Sequence, residues 1–260
     1  MDISEYNQRA WDQLVDSDNE WTRPVSSQVI QRAKSGDWSI VLTPHKPVPR
    51  DWFGELQGKR VLCLASGGGQ QGPTLAAAGA DVTVYDLSEK QLGQDRLVAQ
   101  RDGLQLKTVS GDMRDLSALK DQSFELIVHP CSNTFIPDIN PVWREAYRVL
   151  VPGGQLMSGF VNPLFFLFDY WDMGDGQLNV KYSLPFSDLD QLSTERLQQL
   201  RDEGETMTFG HTLQDQIGGQ LHAGFQISSM FEDTWDAPPV GLLSKYIPSM
   251  LATLAVKPVA

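Results

Sequence analysis

The sequence predicts an α/β protein built on one doubly wound, mostly parallel sheet of seven strands. Three observations carry that prediction. From Arg60 onward, short apolar runs alternate with helix-length amphipathic segments at the spacing of βαβ units. The first of these runs, Val61–Leu64, breaks abruptly into Gly67, Gly68 and Gly69, as a strand does when it turns sharply into a helix. Two further strand-like runs close the chain after the alternation stops. A chain of 260 residues with 41 % hydrophobic content has the material for one large domain, or for one domain with a lid.

The elements follow in order. Residues 1–35 read as helical, interrupted at Pro24. Residues 38–59 carry Pro44, Pro47 and Pro49 and cannot be one regular element, so they read as an extended strap over the surface. Together, residues 1–59 form an N-terminal helical cap and strap ahead of a core at 60–260. In that core "RVLCLA" is the first strand, and Pro73 suits the first turn of the helix that Gly79 ends. "DVTVYD" is the second strand. Ser88 caps a second helix that stops near Gly103. "LQLKTVSGD" and "SFELIVHP" are the third and fourth strands. "VWREAYRVLVPGG" is a helix and turn, and "GQLMSGF" is the fifth strand. Residues 162–208, rich in aromatics, Asp and Leu, read as a lid or insertion. "TLQDQIGGQLHAG" reads as a helix, and "FQISSMFED" and "MLATLAVKP" as the closing strands.

Composition narrows the function. The formal net charge is −12 with no Lys/Arg cluster, which disfavours a nucleic-acid surface. The N-terminus lacks the basic start and apolar stretch of a signal peptide, and the longest apolar run, Pro163–Phe168, is too short to span a bilayer. A cytoplasmic protein with no membrane partner is expected, as monomer or homodimer. Cys63 and Cys131 read as buried reduced thiols, and no Cys/His spacing suggests a metal site.

In a sheet of this kind, ligands bind beyond the carboxyl ends of the strands. The three glycines sit at that end of the first strand, where backbone can approach a ligand closely. Asp86, ending the second strand, can accept hydrogen bonds from both hydroxyls of a ribose. Asp112, following the third, can accept from the amino group of adenine, with the backbone beside Met113 meeting a ring nitrogen. Nicotinamide and adenosyl cofactors both satisfy that geometry.

The ordered pieces "VLCLASGGG", "VTVYDLSEKQL", "GDMRDL", "FELIVHPCSN" and "VWREAYRVLVPGGQLMSGF" resemble the class I S-adenosylmethionine-dependent methyltransferases. The resemblance covers roughly residues 60–160. It implies a Rossmann-like methyltransferase fold with S-adenosylmethionine as cofactor. Gly67 and Gly69, with Ala65, Ser66 and Gln70, would line its methionine part. Asp86 would hold the ribose, with Leu87 beside the adenine and Gln91 among the cofactor contacts. Asp112 and Met113 would meet adenine, and His129 would sit near the methionine end. Tyr6 and Trp11, with Asn7, belong to a leading segment that closes over the cofactor in related enzymes. Family members commonly carry an acid where this chain has Cys63 and glycine where it has Ala65; Gln70 or Gln71 are the candidates to replace that acid.

Methyl transfer from a sulfonium needs a general base only when the acceptor must lose a proton. His129 is the candidate base, with a backbone-only role as the alternative. A small-molecule acceptor is expected, with His45 reaching in from the strap, Asn133 beside Ser132 and Thr134 as polar contacts, and Phe165 and Phe168 as an apolar wall. "NPLF" at 162–165 echoes the "NPPY"-type motif of nucleic-acid amino methyltransferases, but it follows the fifth strand where that motif follows the fourth. Two other readings stand beside methyl transfer: a nicotinamide-dependent oxidoreductase, against which the absence of a Tyr-x-x-x-Lys pair speaks, and a non-catalytic protein binding S-adenosylmethionine or S-adenosylhomocysteine.

Overall fold

The computed structural model describes residues 2–259. Seven strands form one sheet: β1 (Arg60–Leu64), β2 (Asp81–Asp86), β3 (Lys107–Ser110), β4 (Phe124–His129), β5 (Leu150–Val161), β6 (Gln226–Asp233) and β7 (Met250–Val256). Their order across the sheet is β3-β2-β1-β4-β5-β7-β6. The first five are parallel, and β7 runs antiparallel between β5 and β6. The order in which strands are added reverses at β1, with β2 on one side and β4 on the other, so the strand ends there open a crevice.

Strand β1 is buried on both faces, which is why it reads as unbroken apolar sequence. Val61 and Cys63 enter one core with Leu75, Val82, Val84 and Leu92. Leu62 and Leu64 enter the other, with Val142, Trp143, Ala146 and Phe225. Helices cover both faces: α1 (Ile3–Asp16), α2 (Ser27–Lys34), α3 (Gln71–Ala77), α4 (Glu89–Asp102), α5 (Asn140–Val149) and, beyond an α6 (Thr194–Glu203) that buries no residue, α7 (Gly219–Ala223). Ser88 caps α4 by accepting the Gln91 N–H, and Gly103 closes it in the left-handed conformation.

Three sequence expectations change. The strap at 38–59 does not lie over the surface: Leu42, Val48, Phe53 and Leu56 are buried in the core beside β1. Its prolines forbid a helix or a central strand, yet its apolar side chains still leave water. Gly159 on β5 permits the close approach, since a Cβ there would lie 2.2 Å from the Leu42 carbonyl oxygen. Second, residues 214–223 are not one α-helix; a π-helical stretch at Gln214–Gly218 runs into α7. Third, β5 begins at Leu150, directly after α5, rather than after the glycine turn.

Residues 162–208 form an insertion of short turns and α6, closed by a two-residue ladder between Phe186–Ser187 and Phe209–Gly210. The neighbouring 205–207 stretch packs beside α1. Asn7 exchanges two hydrogen bonds with Met207, and the Tyr6 hydroxyl donates to the Glu205 carbonyl.

Candidate active site

A cavity of about 270 Å³ opens at the carboxyl ends of β1, β2 and β4. One half is polar and lies toward β2 and β3. Ser66, Gly67, Asp86, Gln91 and Asp112 line it, with Leu87 and Met113. Asp86 Oδ2 accepts the Gly67 N–H at 2.9 Å and Oδ1 accepts the Ser88 N–H at 2.9 Å. Burial raises the Asp86 carboxyl above its ordinary range, and these amides oppose that shift. Asp112 pairs with the Arg114 guanidinium and accepts the Ser4 hydroxyl at 3.0 Å. Burial alone would raise it, but Arg114 and Ser4 hold it below the ordinary value. Ser4 comes from α1, which also reaches Leu87 through a Gln8 side chain. Helix α1 thus covers this half of the cavity.

The other half is apolar and lies toward β4, β5 and β7. Leu42 and Pro44 enter from the strap, Pro130 and Cys131 follow β4, Phe135 and Ile136 come next, and Val161 and Met250 pair across β5 and β7. Trp11 stands edge-on to Phe135 with ring centres 5.0 Å apart, and Trp21 edge-on to Trp235 at 5.9 Å. Thr43, Ser132 and Thr134 supply hydroxyls. Cys131 is the one titratable side chain in this half among the described residues. Burial, with Asp233 nearby, pushes its thiol up to about 12.

The cavity brings together Trp11, Ala65, Ser66, Gly67, Gln70, Asp86, Leu87, Gln91, Asp112 and Met113. Seven other expected site residues lie elsewhere. His129 is fully buried behind the wall: Nδ1 lies 2.9 Å from the Leu64 carbonyl oxygen, Nε2 lies 2.7 Å from the Asn133 amide, and the ring abuts Trp143. Both nitrogens are occupied, so the side chain is not placed to act as a base. Asn133 is buried with it and binds Gln216, leaving Ser132 and Thr134 to face the cavity. His45 is exposed; its backbone N–H donates to Asp233, and Thr43 and Pro44 take the inward positions. Tyr6 points to Glu205. Phe165 packs on Phe166, and Phe168 bridges to Val180, both within the insertion. No residue of 162–208 lines the cavity, so the insertion is not its lid.

Gly69 completes the seven. Its space is filled by the chain itself: a Cβ there would lie 2.9 Å from the Gln94 carbonyl oxygen and 3.0 Å from the Pro24 ring. Gly67 alone of the three glycines lines the cavity, where a Cβ would strike Gln91 at 2.7 Å and Asp86 at 3.1 Å. Ala65, where glycine was the family expectation, holds a left-handed φ of 47°. The candidates to replace an acid at Cys63 are otherwise engaged: Gln70 donates to the Glu20 and Arg23 carbonyls, and Gln71 to Val41.

The polar half suits an adenosyl cofactor on its own geometry. Ser66 Oγ and Gln91 Oε1 are buried without a hydrogen-bond partner, and such atoms are costly unless something meets them. Gly67 leaves the backbone bare between them and Asp86.

Sheet order, the glycine turn and a strand-end acid beside a covered cavity define a nucleotide-cofactor enzyme of the methyltransferase type. A family model described as a methyltransferase domain matches residues 62–158. The chain belongs to the class I S-adenosylmethionine-dependent methyltransferases, and S-adenosylmethionine is its cofactor. It is 52 % identical over 252 residues to the uncharacterised methyltransferase YbaJ of Bacillus subtilis (strain 168), covering 97 % of each chain. It is 32 % identical over 128 residues to the ubiquinone biosynthesis O-methyltransferase of Bordetella avium, a match spanning 47 % of this chain and 53 % of that one. An S-adenosylmethionine-dependent methyltransferase from Mesorhizobium loti shares the fold with a TM-score of 0.60 at 20 % identity, over 80 % of this chain and 94 % of that one. The oxidoreductase alternative is thereby set aside.

Proposed function

We propose that the chain methylates a small, largely apolar acceptor, and that none of its own side chains acts as general base. The acceptor half of the cavity carries this reading: its walls are aromatic and aliphatic, and its one titratable group is a thiol that stays protonated near neutrality. Bound S-adenosylmethionine supplies a methyl group already activated on a sulfonium. Asp86, through its carboxylate, and Ser66 and Gly67, through their polar groups, are the residues that would hold it. Trp11, Phe135, Trp235 and Met250 exclude water and orient the acceptor, which is where the protein contributes most to such a transfer. Thr43, Ser132 and Thr134 offer hydrogen bonds to its polar end.

The test is label transfer from methyl-tritiated S-adenosylmethionine. Apolar amines, phenols, thiols and carboxylic acids of matched size are offered beside oligonucleotides and denatured protein. Labelling of apolar small molecules is expected, with a pH profile that follows each acceptor's own pKa. Label confined to oligonucleotide or protein would overturn the reading. So would one fixed pKa shared by every acceptor, since it would belong to an enzymic base.

A further inference from the structure

Asp95 lies on α4, behind the glycine turn as seen from the cavity, and none of the chemistry above uses it. It is fully buried. Its Oδ2 accepts the Gly68 N–H at 3.1 Å, an amide shared with the Gln91 carbonyl. Its Oδ1 has no hydrogen-bond partner, and the first turn of α3 closes over it: a Cβ on Gly72 would lie 3.1 Å away. A buried carboxyl left partly unsatisfied is expensive, and an aliphatic residue at this point would avoid that cost. Burial pushes the carboxyl well above its ordinary range, although the Gly69 and Gly68 amides pull the other way. Its neighbour across the strand–helix interface is Cys63, whose thiol is raised by burial and then by this acid.

The turn in front of Asp95 needs such a group. Three successive glycines have little intrinsic shape, and Gly68 and Gly69 hold φ of 106° and 74°. Ser66 and Gly67 can present a fixed face to the cavity only if the amide just after them is held from behind.

We propose that Asp95 is a positioning residue for the cofactor: by accepting the Gly68 amide from the α4 side, it fixes the turn whose front face receives S-adenosylmethionine. It does from a neighbouring helix what no side chain on residue 63, 70 or 71 does here. The inference rests on the cofactor reading of this turn.

The test compares Asp95→Asn, which keeps an amide-accepting oxygen, with Asp95→Leu, which keeps size and removes it. S-adenosylhomocysteine affinity is read by calorimetry, and exchange of the Gly68 amide is read by NMR on the protein without ligand. The Asn variant should bind within about threefold of the parent with the Gly68 amide protected, whereas the Leu variant should bind roughly tenfold or more weakly with that amide exchanging faster. Parent-like affinity and protection in a folded Leu variant would overturn the proposal, as would an Asn variant as weak as Leu. If the Leu variant does not fold, Asp95→Ser replaces it: a side chain too short to reach the Gly68 amide must weaken binding, and parent-like binding overturns the proposal. Failure of the parent itself to bind S-adenosylhomocysteine would instead sink the cofactor reading of the turn.

Discussion

Asp86 and His129 stand at two strand ends and differ in what surrounds them. Asp86 faces the cavity with its carboxylate fixed by the Gly67 and Ser88 amides. Asp86→Ala should weaken S-adenosylmethionine binding by roughly 1–3 kcal/mol, the scale for losing charge-assisted hydrogen bonds, and calorimetry measures it. His129 is enclosed. Burial, opposed by the Leu64 carbonyl and the Asn133 amide, holds its imidazole below the ordinary 6.5. The unfolded chain therefore takes up the proton first, so the neutral ring contributes stability that is intact above pH 6.5 and is lost as pH falls toward the depressed folded value. His129→Gln should flatten the acid side of the stability profile by up to about 1.4 kcal/mol per pH unit, seen in denaturant melts across pH. Its turnover at neutral pH should stay within about threefold of the parent, since a lost general base would cost far more. Asp86 was legible because a strand-end acid has one direction to face. The His129 side chain was not, because a single residue's position on a strand does not say which face of the sheet it meets, and its partners, the Leu64 carbonyl on β1 and Asn133 in the irregular stretch after β4, come together only in the fold.

Among the elements, the strap departs furthest from its sequence. Prolines marked it as irregular, correctly, but irregular backbone says nothing about where the side chains go. What fixes it is Asp233 at the end of β6, which accepts the Thr43 hydroxyl and the His45 and Lys46 amides. Those bonds outweigh burial and hold the Asp233 carboxyl below its ordinary value. Asp233→Ala should cost about 1–3 kcal/mol of stability by chemical denaturation and speed exchange of the His45 and Lys46 amides. Cofactor affinity should be unchanged, because the strap walls the acceptor half alone. The regular elements were legible because period, cap and stop agreed, as at Ser88, α4 and Gly103. The acceptor walls Trp21, Trp235 and Met250 had no such local mark. The antiparallel insertion of β7 sets Met250 against Val161, and Trp21 meets Trp235 edge-on from the far end of the chain.

At the scale of the whole molecule, two cores on either side of one sheet hold a cavity that N-terminal, central and C-terminal segments all line. Among the described residues no helix is long and apolar enough to cross a membrane. Ligand binding to such a shared site should stabilise the whole fold. At a concentration 100 times its Kd, S-adenosylhomocysteine should add about 2.7 kcal/mol, or roughly 5–10 °C in Tm, and NADH should add nothing; differential scanning fluorimetry distinguishes the two. The crowding of indoles around the cavity has an experimental use of its own. Trp11, Trp21 and Trp235 line it, and Trp21 is 37 % exposed. A molecule entering between them strips water from those rings and moves their emission to shorter wavelength. The chain therefore carries its own optical reporter. With S-adenosylhomocysteine in place, a compound collection can be titrated against intrinsic fluorescence, and the acceptor can be found by occupancy before any transfer is detected.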